Sequence, residues 1–280
     1  SQPQQQPWPS VSHYVSPIPV RRATLADALA SEWTKIRSLR STMWTMGIMV
    51  LLVFGVGSLI AMAAGATGDE VGNNVSALAF AVFGVLLSII CVITLGVLTM
   101  SSEYNTGMIR TTLTACPNRG RVLAAKAIVF FLLVFVIMLV STTLVAMVDS
   151  AMINGNGVVA TTGSMWLKAT VGVSLYVALL GLLALAVGTL IRHSAGAIAA
   201  MLGLMLLPMI LAAFMAADSL LDLRQFLLDY SIPTMLFSIY VTPADAMESG
   251  PAGWDAVWVM AGVAAVALGG AYTALRNRDA

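Results

Sequence analysis

The spacing of charge constrains this chain more than any other feature. Only 14 Lys/Arg and 13 Asp/Glu occur in 280 residues, and six long apolar stretches contain none of them. These stretches are residues 41–68, 71–102, 127–148, 169–191, 193–217 and 256–275. A helix of about 20 apolar residues crosses roughly 30 Å of hydrocarbon. Lipid offers no water to backbone N–H and C=O groups, so each stretch must satisfy its own, and a helix does so. The pattern predicts an all-α integral membrane protein with six spans, at about 43–66, 77–100, 124–148, 166–191, 195–217 and 254–275. A mean hydropathy of +0.91 excludes an ordinary soluble domain.

Sorting the charges across six spans gives an orientation. Arg21, Arg22, Lys35, Arg37 and Arg40 precede the first span, and Arg110, Arg119, Arg121 and Lys126 lie between the second and third. With Arg192, Arg276 and Arg278, 12 of the 14 basic residues share one side, leaving Lys168 and Arg224 opposite. Basic flanks stay cytoplasmic, so both termini are expected inside. Asp69, Glu70, Asp149, Asp218, Asp222, Asp229, Asp245, Glu248 and Asp255 fall on the other side. No cleavable signal is expected, because the first apolar run begins after 40 residues.

Residues 1–20 are rich in Gln, Pro and Ser and are expected to form a disordered tail, with residues 21–280 forming the membrane domain. Thr24 and Asp27 have capping-box spacing, and Leu25, Leu29, Trp33 and Ile36 follow at helical intervals. Asp27, Ser31, Lys35 and Ser38 occupy the other face. Such a stripe, with Lys35 and Arg37 beside it, predicts an amphipathic helix lying in the inner membrane interface. Residues 101–123 form a compact polar segment after the second span, closed by a Pro117-Asn-Arg-Gly120 turn. Glu103 and Arg110 are seven apart there, too far for a pair on adjacent turns. Residues 218–252 read as a re-entrant outer segment, since the charge-free part is short and broken by Pro233 and Pro243. Pro208 predicts a kink within the fifth span. Ala184 with Gly188, and Ala265 with Gly269, have spacing suited to close helix packing.

Catalytic chemistry is not evident. Lys35, Lys126 and Lys168 all lack the preceding glycine of a phosphate-binding loop. His13 and His193 have no neighbouring His or Cys, so neither a metal site nor a catalytic residue is expected. The span interiors read as free of charge, which argues against a proton- or ion-coupled carrier.

Two stretches resemble the permease subunits of ATP-binding-cassette transporters of the type-two export family, in its actinobacterial-like branch. They are SEWTKIRSLRST at 31–42, and SEYNTGMIRTTL at 102–113 followed by RGRVLAAK at 119–126. The resemblance covers roughly residues 21–280 and implies a non-catalytic permease in a cell membrane, in bacteria the cytoplasmic one. Two copies, or two related chains, would pair and bind two separate ATPase subunits, with ATP and Mg held by those partners and no cofactor on this chain. Leu29, Trp33, Lys35, Ile36 and Arg37 would belong to the family's connecting helix. Glu103, Tyr104, Gly107, Arg110 and Thr111 would form its ATPase-coupling element. Spans two and five would line an exit path for a hydrophobic or amphipathic cargo such as a drug, antibiotic or lipid. A carrier or channel without an ATPase, and a non-transporting scaffold or sensor, are the competing readings.

Overall fold

The computed structural model describes residues 24–66, 77–108, 111, 114, 118–153, 161–241 and 250–277. The expected tail therefore lies outside the described residues, as do Asp69, Glu70, Arg110, Cys116, Asp245 and Glu248. Every secondary-structure element among the described residues is helical. Helix α1 runs Leu25–Ser38. Six helices long and apolar enough to cross a membrane follow or intervene: α2 (Arg40–Ala64), α3 (Leu78–Thr106), α4 (Arg119–Met152), α5 (Gly163–Ile191), α6 (Ser194–Phe214) and α9 (Trp254–Asn277). Two short helices, α7 (Leu221–Asp229) and α8 (Ile232–Tyr240), stand between α6 and α9. The six expected spans are thus present and in order.

Helix α1 starts where its sequence dictates. The Asp27 amide donates to Thr24 Oγ1 at 3.3 Å, and the Thr24 amide donates to Asp27 Oδ2 at 2.8 Å. Two otherwise orphaned N–H groups are satisfied this way. Replacing Thr24 by alanine is expected to destabilise the first turn by about 0.5–2 kcal/mol. Faster proteolytic cleavage within 24–31 of the detergent-solubilised chain would register it, and an unchanged cleavage rate would count against the cap.

Helices α3 and α5 form the centre, with the other spans packed around them. Their contact is close because glycines face backbone. A Cβ at Gly96 would lie 2.6 Å from the Gly181 carbonyl and 2.9 Å from Ala184 Cβ, and one at Gly188 would lie 2.8 Å from the Val97 carbonyl. The expected Ala184/Gly188 packing is therefore present. Gly269 has nothing within 4 Å of such a Cβ, and Ala265 is exposed, so that pair does not pack within the chain. The reason is rotational: α9 turns Ala264 and Ala271 inward instead.

Two spans carry a widened π turn, Leu52–Val56 in α2 and Lys168–Gly172 in α5. Neither was legible in the apolar pattern, which does not distinguish i→i+4 from i→i+5 bonding. Helix α6 runs unbroken through Pro208, whose missing N–H removes the bond to the Leu204 carbonyl. Its N-terminus is capped by His193, with Nδ1 accepting the Gly196 amide at 3.0 Å.

The segment expected to be re-entrant is divided into two unlike helices. Helix α7 leaves Leu221, Leu223 and Phe226 exposed, whereas α8 buries Ile232, Met235, Leu236 and Ile239. Ser231 caps α8, and the buried Tyr176 hydroxyl of α5 donates to the Ile232 carbonyl at 3.0 Å. Asp149, counted above with the outer charges, is fully buried at that end of α4.

Candidate functional site

The end of the bundle that carries Arg40, Arg119, Arg192 and Arg276 is held by a buried ionic cluster. Lys126 Nζ in α4 donates to Glu32 Oε2 in α1 at 2.6 Å and to Glu103 Oε1 in α3 at 2.7 Å. Lys35 Nζ in α1 donates to Glu32 Oε1 and to Glu103 Oε1, each at 2.9 Å. The relative exposures of Glu32, Glu103 and Lys126 are 4%, 4% and 2%. Four charges alternate in sign, and each touches two of the opposite sign. Three helices distant in sequence are thereby fastened at one point.

A buried ion pair is weak evidence for stability, since desolvation offsets much of the Coulomb gain. Its value here is geometric: only one mutual placement of α1, α3 and α4 pairs all four charges. Burial alone would lower the pKa of Lys35, but its hydrogen bonds to Glu103 and Glu32 outweigh this and hold it above the ordinary lysine value. Lys35 is therefore a cation at any physiological pH.

The end of α3 beside the cluster reaches three ways with three consecutive residues. Glu103 holds α1 and α4, as above. Arg192, at the C-cap of α5, sits 4.9 Å from the Tyr104 ring centroid in a cation–π contact. Asn105 Nδ2 donates to Ser194 Oγ at the start of α6 at 3.3 Å. Arg192 adopts φ 58°, a left-handed conformation that costs a non-glycine residue roughly 1–2 kcal/mol. That cap lets α5 stop and α6 begin within two residues.

Helix α3 ends at Gly107, with φ 72° and its N–H bonded to the Tyr104 carbonyl at 3.2 Å. Nothing lies within 4 Å of a Cβ built there, so the left-handed turn is what the position requires. Thr111 is exposed, its hydroxyl donating to the Met108 carbonyl at 2.8 Å, and Arg110 lies outside the described residues. Arg119 Nη1 donates to the Leu275 carbonyl at 2.6 Å, tying the start of α4 to the end of α9.

Helix α1 divides its apolar stripe between the bundle and the surface. Leu29 and Ile36 are half-buried, but Leu25 and Trp33 are exposed, as is Arg37. Lys35, placed on the polar face, turns inward. The residue that α1 buries is Glu32, which sits three after Leu29 and four before Ile36 and so along one edge of the stripe. That was the missed signal, together with Lys126, which lies inside the expected limits of the third span. The span interiors are not free of charge at this end, because pairing each charge with two of opposite sign makes burial tolerable.

Six membrane-length helices, short helices at the acidic end and a polar hub on the basic end define a polytopic membrane protein. Residues 28–207 match the ABC-2 family transporter protein, and the chain belongs to that family. The match spans α1 through most of α6 and includes the whole ionic cluster. No curated protein matches the chain. Family membership makes it a permease subunit of an ABC transporter, a multi-pass membrane protein whose kind works with ABC ATPase subunits.

Proposed function

We propose that two copies of this chain, or this chain and a related one, form the membrane path of an ATP-driven exporter in a cell membrane, the cytoplasmic one in bacteria. The cargo is a hydrophobic or amphipathic small molecule. Separate ATPase subunits, holding ATP and Mg, seat against the segment around Gly107, Arg110 and Thr111 on the basic side. The basic side is cytoplasmic by the positive-inside rule. The single observation that carries this reading is the ionic cluster. It converts displacement of the segment after α3 into joint movement of α1, α3 and α4, which is what a two-state coupling between partner and path requires. Glu103, expected as a contact to the ATPase, already has Oε1 engaged by two lysines of its own chain. Its role in this mechanism is to anchor the segment, while the direct contact falls to the residues beyond Gly107.

The test is purification of the tagged chain from its native membrane in mild detergent. One ABC ATPase per chain is expected, and Arg110→Glu should lower its cargo-stimulated ATP hydrolysis while the chain still inserts. A chain that carries flux into liposomes with no ATPase present would establish the carrier reading instead.

A further inference from the structure

A cavity of about 330 Å³ opens beside the ionic cluster, between α1, the start of α2, α3 and α4. Its volume is at the small end of the range for small-molecule sites, roughly 300–1,000 Å³. The two ends differ in chemistry. Glu32, Lys35, Glu103 and Lys126 line one end, and Leu95, Phe130 and Leu133 line the other. Along α4, Lys126 to Leu133 is seven residues, and along α3, Glu103 to Leu95 is eight. At 1.5 Å per residue each path is about 10–12 Å long, and both run from the basic end toward the middle of the membrane. The cavity is therefore polar at headgroup level and apolar at acyl level.

The polar lining has a defined hydrogen-bonding sense. Ser38, Thr45, Thr99, Ser102 and Thr106 all donate their hydroxyl protons to carbonyls of their own helices, at 2.5–2.9 Å. What they leave for a ligand is lone pairs. Both ammonium groups at this end are already bonded to carboxylates, and Glu103 Oε2 has no hydrogen-bond partner among the described residues. Ser41 and Thr42 also line the cavity, so acceptors outnumber donors there rather than excluding them, and with the unmet Glu103 carboxylate oxygen they favour a ligand head rich in donors. They disfavour a carboxylate or phosphate, which would meet oxygen lone pairs.

The geometry points to a binding site for a single-chain amphipathic primary amine, entered from the inner leaflet, with its ammonium at the Thr45, Ser102 and Glu103 level and its chain against Leu95, Phe130 and Leu133. The volume suits one chain and not a two-chain lipid. The site lies within one subunit and needs neither ATP nor an ATPase, so it goes beyond the transport reading and stands apart from it.

Photocrosslinking tests it on the full chain in phosphatidylcholine nanodiscs. The probe is dodecylamine carrying a mid-chain diazirine, with the matching dodecanoic acid as its counterpart. The amine is expected to label peptides containing Met46, Leu95 or Phe130, with labelling removed by excess plain dodecylamine, and the acid is expected to leave those peptides nearly unlabelled. Thr45→Val keeps the shape and removes an acceptor, and should reduce amine labelling there by about threefold to tenfold, the worth of one hydrogen bond. Thr99→Phe fills the cavity and should abolish labelling; Thr45→Val supplies the answer if that variant does not fold. Equal labelling by amine and acid would overturn the proposal. So would labelling of the exposed Leu206, Leu207 and Ile210 face as strong as that of the cavity, or labelling unaffected by Thr45→Val.

Discussion

Replacing Lys126 by methionine is expected to destabilise the chain by about 3–5 kcal/mol, the usual cost of leaving a buried ion unpartnered. Lys126 is the most buried of the four charges and lies between Glu32 Oε2 at 2.6 Å and Glu103 Oε1 at 2.7 Å. Without it, two carboxylates with 4% exposure face each other with only Lys35 between them. The alternation of charge sharpens the prediction. Exchanging Glu32 and Lys126 alone restores their mutual pair but puts Lys against Lys35 and Glu against Glu103. That double variant should be no better than Lys126→Met. Reversing all four signs rebuilds every contact and should recover most of the stability. Replacing all four by apolar residues of similar volume should also recover it, since a buried ionic cluster roughly breaks even against good packing. Only the four-fold reversal should keep stimulated ATP hydrolysis, if orientation of α1 against α3 and α4 is what the cluster supplies. Thermal unfolding in one detergent measures the first part, and hydrolysis by the reconstituted complex measures the second. Pairwise exchange restoring full stability would show that the four charges do not act as a unit.

Gly84→Ala is expected to cost about 1–3 kcal/mol despite alanine's better helix propensity. The new Cβ would lie 2.7 Å from the carbonyl oxygens of both Leu52 and Val53, and 3.0 Å from Val53 Cα. All three atoms are backbone, so no side chain can rotate away. They also belong to the π turn of α2, where the widened helix brings its carbonyls up to α3. Gly84 and that π turn therefore form one close-packed device. Gly203→Ala is the matched control: nothing lies within 4 Å of its added Cβ, and propensity alone should stabilise α6 by up to about 1 kcal/mol. Comparing the two midpoints in the same detergent decides the matter. Equal shifts for both variants would mean that the α2–α3 contact opens readily in the membrane.

The charge pattern revealed the spans because lipid imposes one requirement on every residue within it. A segment either satisfies its own backbone and presents apolar side chains, or it does not cross. Local rules likewise placed the Thr24/Asp27 cap, where the chemistry lies within a few residues. The site was less legible. Glu103 was singled out, but its partners were not, because pairing depends on how α1 and α4 rotate against α3. Lys35 was assigned to the wrong face for the same reason: a hydrophobic stripe says which residues are apolar, not which face finds a partner. Glu32 lies along the edge of the stripe, and that charge was the local trace of the cluster.

By itself, then, the sequence determined the number and order of the spans and the cap on α1. Each follows from transfer free energy or from hydrogen bonds a few residues long. Tertiary structure alone decided that Glu32, Lys35, Glu103 and Lys126 meet, that Tyr104 lies beside Arg192, and that α2 widens where Gly84 approaches. These rest on contacts between helices up to 94 residues apart in the chain, such as Lys126 to Glu32. Helical rotation and register set them, and no single segment encodes either.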